Sequence, residues 1–243
     1  MLHILFSPAE SKHPGGNHAP LNHLLFDLPQ RMDILNTYNT LVLSDNKEAL
    51  HKMFGLKKEN ELERFTEDIF SAPTCKAIER YKGVAYEYLN IKELDSQAKT
   101  YLQTHCIIFS NLYGPIYGGD YITDYKVKQG EMIDAIAPEY YYKKAFSDKL
   151  DLLLESGDIL DLRAGHYDKF YKPNKAYTTL KFMKNGKVVS HWAKAYRGIV
   201  LRELALAQIN CLDALHKLDI QGLHVREIKK MKLKTEIVFD IVE

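Results

Sequence analysis

Tyrosine, glycine and lysine residues crowd one segment of this chain, residues 106–130. The segment begins with the apolar run 107–109, typical of a buried strand, and then turns at Gly114 and at Gly118–Gly119. Tyrosine rings can stack on nucleobases, and lysines can pair with phosphates. The alternative is a tyrosine-rich hairpin that packs on the core. The candidate ligand-binding residues of this segment are Tyr113, Gly114, Lys126 and Lys128.

A second group of candidates lies in a strongly basic stretch, residues 163–202. It holds ten lysines and arginines against one acid, Asp168, a local charge of +9 (10 − 1), although the whole chain carries only +1. Such a cluster is the electrostatic footprint expected of a protein that binds a polyanion. Alternatively, acids from elsewhere in the chain neutralise a solvated basic face. The candidates here are Arg163, Lys194, Arg197 and Arg202.

The amino-terminal segment adds two further candidates. The apolar run 2–6 leads into a polar loop that contains Ser7 and Lys12. A strand that feeds such a loop can offer an anion hydroxyl groups, backbone amides and a positive charge. The alternative is a strand end followed by ordinary polar turn residues.

Sequence motifs for several reaction classes are missing. The chain has no P-loop, no GxGxxG and no GxSxG motif, and no Ser/His/Asp assignment can be defended. The three cysteines are far apart, without metal-ligand spacing. His13, His18 and His23 recur every five residues, which is not a helical ligand spacing, so a surface loop is expected instead of a metal site. We expect neither a metal nor another cofactor.

Composition favours one globular domain, residues 1–243, with 46% hydrophobic and 27% charged residues. No apolar run approaches the roughly 20 residues of a membrane span, and the amino terminus lacks the features of a secretory signal. Because the cysteines are few and scattered, a reducing cytoplasm is the expected location. We expect a monomer without a membrane partner.

Alternating strand and helix signals predict an α/β fold whose sheet is at least partly parallel. Arg163 follows one predicted strand at its carboxyl end, where open α/β sheets bind ligands. The Asn185–Gly186 pair predicts a tight hairpin. Helical periodicity is predicted at 30–70 (broken by Gly55), 94–104, 137–156 and 199–212, and strands at 2–6, 107–109, 159–162 and 236–242. The last of these helices would start just after Arg197.

Five sequence blocks together resemble the YaaA family of bacterial proteins. In the family's order they are LFSPAESK, YKGVAYEYL, SNLYGPIYGGDYITDYKVKQG, ILDLRAGHYDKFY and HWAKAYRGIVLREL. They span nearly the whole chain, so the resemblance is to a complete protein. The chain departs from the family pattern at Glu10, where lysine is usual, and at His166, where the family has an acid.

The resemblance implies a single compact α/β domain with a positively charged cleft, a helix-hairpin-helix element and a DNA-binding role in the response to hydrogen peroxide. It adds Lys82, Gly83 and Gly198 to the site candidates, because these match family motifs. Two segments are candidates for the hairpin, Leu112–Ile116 and Tyr81–Val84. Together with the charge pattern, the resemblance predicts that Arg163, Lys194 and Arg197 share one concave surface with Lys82.

Three functions are compared on this basis. The first is DNA binding through the phosphate backbone, either non-specific or dependent on DNA structure. The second is an enzyme that acts on a nucleotide or nucleobase, because polar residues, Asp124 among them, lie beside several predicted strand ends. The third, iron sequestration, ranks last, since the chain lacks a Glu-x-x-His pair and a cysteine cluster.

Overall fold

A mixed β-sheet of eight strands forms the centre of the computed structural model, which describes residues 1–19, 24–26 and 29–242. In chain order, the strands of the protein are β1 (Leu2–Phe6), β2 (Ser11–Lys12), β3 (Cys75–Lys76), β4 (Tyr81–Lys82), β5 (Cys106–Ser110), β6 (Gly114–Tyr117), β7 (Tyr121–Ile122), β8 (Asp158–Asp161), β9 (Tyr177–Lys184), β10 (Lys187–Val188), β11 (Leu223–Lys230) and β12 (Lys234–Ile241). The pairs β2–β4 and β3–β7 are separate two-stranded sheets.

Five neighbouring strands of the main sheet run parallel, in the order β12, β9, β8, β1 and β5. Antiparallel β11 and β6 lie at the two edges, and the short β10 pairs with β9. Every residue of β1 and β5 is buried. Their nearly continuous apolar sequences follow from this position, because a central parallel strand is covered on both faces. The predicted α/β class and partly parallel sheet are confirmed.

Helices cover the sheet, and their buried side chains join those of the strands in one continuous core. The helices are α1 (Pro29–Val42), α2 (Lys47–Phe54), α3 (Ala77–Arg80), α4 (Val84–Leu89), α5 (Ser96–His105), α6 (Pro138–Leu154), α7 (Ser190–Leu206) and α8 (Leu212–Leu215), with 3-10 turns at Glu59–Glu61, Glu63–Phe65, Ile91–Glu93 and Gly165–Lys169. Within the described ranges, none of the helices has the length and apolarity that crossing a membrane requires.

Local signals predicted two turns correctly. Asn185 and Gly186 have φ values of 52° and 74° and connect β9 to β10, as expected for an Asn-Gly hairpin. Gly55, with φ of 66°, ends α2 in the left-handed conformation. Beyond Gly55, however, the predicted helix up to residue 70 is replaced by 3-10 turns, Glu59–Glu61 and Glu63–Phe65. Only Leu62 and Ile69 of residues 56–70 are buried, so no apolar stripe stabilises a longer helix there.

The start of α7 was predicted wrongly. The helix begins at Ser190, not at residue 199, so Arg197 lies in its middle and not at its amino end. Because glycine is unfavourable within helices, Gly198 was interpreted as a helix boundary, although it lies in the interior of α7. Here it allows a close helix–helix contact: a Cβ at Gly198 would lie 2.0 Å from the backbone oxygen of Ala85 in α4.

One candidate for the helix-hairpin-helix element is excluded by the structure. Leu112–Ile116 runs from a turn into β6, which pairs antiparallel with β5, so no helix pair can form there. Gly114 adopts φ of 69°, and a Cβ would lie 2.6 Å from the ring of Tyr142. The glycine therefore serves a turn packed against α6. Tyr81–Val84, which does lie between the short helices α3 and α4, is the remaining candidate.

The contact at Gly198 reverses the usual effect of a glycine-to-alanine substitution. In an exposed helix Gly→Ala stabilises by about 1 kcal/mol. Because the new methyl group would overlap the backbone of α4, we expect Gly198→Ala to lower the free energy of unfolding by about 1–3 kcal/mol in urea denaturation. Gly165→Ala is the control, since a methyl group added at Gly165 would have no neighbour within 4 Å. A Gly198→Ala protein as stable as wild type would contradict this packing.

Candidate functional site

A basic cavity of about 600 Å³ lies beside the carboxyl end of β8. Six of its lining residues are basic: Arg163, Lys172, Lys181, Arg197, Lys232 and Lys234. Three are acidic: Asp161, Asp168 and Glu236. The cavity therefore carries an excess of positive charge, which suits a negatively charged ligand.

The sheet topology creates this cavity. Asp161 ends β8 opposite Thr179, whereas β9 continues to Lys184 and keeps pairing with β12. The cavity lies against the amino-terminal parts of these two longer strands and beside the carboxyl end of β8, the kind of strand end at which parallel sheets commonly bind ligands. The segment after β8 and the helix α7, which carries Arg197, complete the walls.

Arg163 has a structural role in the wall of the cavity. Its Nε donates to Asp161 Oδ1 at 2.9 Å, its Nη2 donates to Asp161 Oδ2 at 2.7 Å, and its Nη1 donates to the backbone oxygen of Tyr167. The guanidinium carbon lies 4.3 Å from the centroid of the Phe109 ring. With only 1% of its side chain exposed, Arg163 is fully engaged by the protein itself. It positions the cavity wall and leaves little surface for a ligand.

Arg197 differs from Arg163 because its guanidinium has no hydrogen-bond or ion-pair partner among the residues that the structure describes. The side chain is half-buried, and burial lowers the pKa of Arg197, an effect that Asp161 partly opposes. Arginine stays protonated in proteins, so a desolvated charge with unused donors faces the cavity. Lys172, Lys181 and Lys232 also have no such partner within the described ranges. Each of these four cations could pair with an anionic ligand.

A second cavity of about 660 Å³ contains Lys82, which therefore does not share the basic cavity with Arg163 and Arg197. Lys82 is exposed on β4, beside His13, Lys92 and Lys99 in the cavity wall. Gly83 precedes α4 and has a φ of 151°. A Cβ added at Gly83 would lie 3.4 Å from the Cβ of Ala9. Lys194 is exposed on α7, the same helix as Arg197. Whether these residues bind a ligand stays a prediction.

The tyrosine-rich segment packs into the core, as its alternative interpretation held. Tyr113 and Tyr125 are almost completely buried, so neither ring is exposed for stacking on a base. The hydroxyl of Tyr113 lies 2.7 Å from Thr123 Oγ1, and Gly114 is buried against Tyr142. The aromatic residues of this segment stabilise the fold, and their number in the sequence reflects that role.

Other candidate residues make contacts that connect elements. Ser7 Oγ accepts from the amide of Ala164, which joins the loops after β1 and β8. Arg202 donates to the backbone oxygens of Leu89 and Asn90 at the end of α4. Lys128 pairs with Glu131, and Lys126 pairs with Glu10. Gly198 serves the α4–α7 contact described above.

Lys12 is buried, with 6% of the residue exposed. Its Nζ lies 3.9 Å from the centroid of the Tyr125 ring and donates to the backbone oxygens of Ala9 and Glu10. A surface contact to phosphate is therefore not available to Lys12. Burial lowers the pKa of its ammonium to about 7, with a further lowering by Lys126.

Four cavity bases were missed as site residues. Lys172 and Lys181 belong to the basic stretch but carry no motif, whereas Lys232 and Lys234 lie beyond it. The alternation of lysine with apolar residues at 229–234 was the available signal. No group of three or more potential metal-ligating side chains occurs in the described ranges. His23, one of the three regularly spaced histidines, lies outside them.

Comparison with known proteins gives consistent matches along the chain. The family model described as "Peroxide stress protein YaaA" matches residues 2–229. A Campylobacter jejuni protein, itself described as uncharacterized, is 45% identical over the full length of both chains. A UPF0246 protein of Corynebacterium glutamicum is 31% identical over 92% of this chain and 94% of its own. A UPF0246 protein of Streptomyces coelicolor is 28% identical over 83% of this chain and 82% of its own.

The ion pair beneath the cavity gives a stability prediction. Asp161→Asn removes the charge that compensates the buried Arg163, so we expect a loss of about 3–5 kcal/mol in the free energy of unfolding. Glu236→Gln is the matched control, because its partner Lys234 is much more exposed and such pairs contribute about 0–1 kcal/mol. Urea denaturation of the two variants would show the difference. Equal, small effects would mean that the Asp161–Arg163 pair does not stabilise the cavity wall.

Proposed function

We propose a DNA-binding function for this chain, which belongs to the peroxide stress protein YaaA family. The DNA backbone would bind at the basic cavity. The observation that carries the proposal is the half-buried guanidinium of Arg197, without a partner in the described part of the chain. Beside it lie three lysines that also lack a partner there. A phosphate would provide these four side chains with the hydrogen-bond acceptors that the described part of the protein does not provide.

The charges of the cavity support a phosphate ligand. Both oxygens of Asp161 accept from Arg163, and Glu236 pairs with Lys234. The third acid, Asp168, approaches Arg163 at 4.0 Å. The acids of the cavity are thus associated with two of its six bases, and the remaining four cations are available to a polyanion. Contacts of this kind bind phosphates without reading base edges, so we expect binding that is independent of sequence or responds to DNA structure.

The packing of α4 on α7 supports a second contact to the same DNA. Lys82 lies just before α4, in the remaining candidate segment for the helix-hairpin-helix element that the resemblance implies. The close contact at Gly198 fixes α4 against α7, which carries Lys194 and Arg197. Lys82 and Arg197 are therefore held in a constant relation, although they line different cavities. A backbone longer than one nucleotide could use both.

Salt dependence tests the phosphate contacts. If the four unpaired cations of the cavity each neutralise one phosphate, the logarithm of the affinity should fall with the logarithm of salt concentration with a slope of about −3.6. Fluorescence anisotropy with a labelled duplex, titrated at several salt concentrations, measures this slope. Contacts at Lys82 and Lys194 would make the slope steeper. An affinity that stays constant between low and physiological salt would contradict backbone binding.

The cavity volume favours a second candidate function, an enzyme that acts on a nucleotide. About 600 Å³ falls within the range of small-molecule sites, about 300–1,000 Å³. In such a site Arg197 would hold a single phosphate or carboxylate, instead of one phosphate among several. The two functions therefore predict different consequences of removing one side chain.

Arg197→Ala separates these functions. If DNA binds, its affinity should weaken modestly and equally for all sequences, and the salt slope should become less steep by about one. If a nucleotide binds, loss of the arginine should cost several kcal/mol, or at least about a hundredfold in affinity. The measurement titrates wild type and variant with duplex, junction and mononucleotide ligands.

Lys149→Ala is the control, because it removes an exposed positive charge on α6. It should leave both affinities nearly unchanged. Wild-type protein that binds no DNA but binds a mononucleotide saturably, with binding lost in Arg197→Ala, would overturn the DNA-binding proposal.

A further inference from the structure

Lys12 lies at the centre of a polar cluster separate from the basic cavity. The amine is not in an ion pair within the described ranges, and its hydrogen bonds go to the backbone oxygens of Ala9, at 3.3 Å, and Glu10, at 3.2 Å. Beneath it, hydroxyl groups form a chain from Tyr81 to Tyr125, at 2.9 Å, and on to Ser110, at 2.7 Å. The amine lies over the face of the Tyr125 ring, 3.9 Å from its centroid, so it is close to this hydroxyl chain without being hydrogen-bonded to it.

Next to this amine, the carboxylate of Glu10 occupies an anion-binding position. One oxygen of its carboxylate lies 3.3 Å from Lys126 Nζ, and the other accepts from the backbone amide of Gln129 at 3.2 Å. The side chain of Glu10 is 45% exposed, whereas that of Lys126 is 13% exposed. A carboxylate from solvent could replace that of Glu10 on the same two donors. Glu10 also accepts from the Lys12 amine through its backbone oxygen, so a shift of residue 10 that follows displacement of its carboxylate would remove one of the two hydrogen bonds of the amine.

One acid at this site has unused hydrogen-bonding capacity. Asp124 Oδ2 accepts from Arg64, but Oδ1 is buried without a hydrogen-bond partner in the described ranges. Arg64 also donates to the backbone oxygen of Lys12 and so ties Asp124 to β2. A buried carboxylate oxygen without a donor is costly, and a bound ligand or water that donates to it would remove that cost.

We propose that Lys12 is a nucleophilic amine that forms an imine with an aldehyde or ketone bearing a carboxylate. The carboxylate would take the place of Glu10 on Lys126 and Gln129, and the carbonyl carbon would meet Lys12 Nζ. Because Glu10 reaches Lys126 with its side chain and Lys12 with its backbone oxygen, the length of a glutamate sets the separation of the two groups in the ligand. This site is independent of DNA binding at the basic cavity.

The reaction requires no redox partner. The lone pair of the neutral amine attacks the carbonyl carbon, the carbonyl oxygen takes up a proton, and the resulting carbinolamine loses one water to give the imine. Two hydrogens of the amine and the carbonyl oxygen leave as that water, so atoms and electrons balance. The hydroxyl chain from Tyr125 and the carboxylate of Asp124 are the groups available to move the protons.

Electrostatics supports a neutral amine at physiological pH. Burial lowers the pKa of Lys12 to about 7, and Lys126 and Arg64 lower it while Asp124 and Glu10 raise it. At pH 7 about half of the Lys12 side chains would therefore be neutral, compared with fewer than about one in a thousand for an ordinary lysine. Displacing Glu10 by another carboxylate keeps the local charge nearly unchanged.

The test uses succinic semialdehyde, an aldehyde with a carboxylate at about the length of a glutamate side chain, and butyraldehyde, its neutral counterpart. Each is incubated with the full chain and cyanoborohydride, which reduces an imine to a stable secondary amine, and peptide mass mapping locates the adduct. We expect Lys12 to be the main modified lysine, with a rate that is half-maximal near pH 7. We also expect the acid to react about tenfold faster than butyraldehyde, the effect of one charge-assisted contact.

Matched lysine variants distinguish the roles within this site. Lys12→Met should abolish the main adduct. Lys126→Met should abolish the preference for the acid but keep the reaction with butyraldehyde, which also shows that the variant is folded. Lys128→Met removes the same charge from a lysine that pairs with Glu131 and should keep the preference.

Two results would overturn the inference. Modification spread over exposed lysines, with Lys12 unmodified, would show that the amine is not reactive. Equal rates for the two aldehydes at Lys12 in wild type would show that no carboxylate site accompanies it. Neither result bears on DNA binding, which is measured separately.

Discussion

The wall of the candidate site depends on the buried pairing of Asp161 with Arg163. Asp161 influences two arginines, but both of its oxygens accept from Arg163. That arrangement satisfies the buried acid and fixes the end of β8, while Arg197 remains without a protein acceptor in the described ranges. Because Asp161 pairs with Arg163, Arg163 stabilises the fold, whereas Arg197 is left available to a ligand.

Two candidate sites lie at the same edge of the sheet, and they differ in whether positive charge is favoured or disfavoured. In the basic cavity four of the six cations are partly solvated and have no acidic partner in the described ranges, which favours an anion from outside. Around Lys12, burial and neighbouring cations disfavour the charge and make a neutral amine accessible near pH 7. Both sites include a segment that follows the carboxyl end of a parallel strand, β8 at the basic cavity and β1 at Lys12.

Much of the fold could be predicted because local signals agreed with the tertiary structure. The apolar run at 107–109, the Asn185–Gly186 hairpin and the periodicity of α5 and α6 all led to the observed elements. The errors arose where tertiary contacts override local preference: α7 continues through Gly198 because α4 approaches it closely. Charge density drew attention to Arg197, whose role in binding stays a prediction. It did not show that Arg163 is buried against Phe109 or that Tyr113 lies in the core, because both depend on the tertiary structure.

The central claim is that Arg197 receives a phosphate whereas Arg163 does not. Nuclear magnetic resonance of the arginine Nε–H groups, recorded during titration with a short DNA duplex, observes both side chains in one sample. The account predicts that the Arg197 resonance shifts and its proton becomes protected from exchange, while the Arg163 resonance, held by Asp161, stays in place. An Arg197 resonance that does not respond at a duplex concentration that saturates the protein would contradict it.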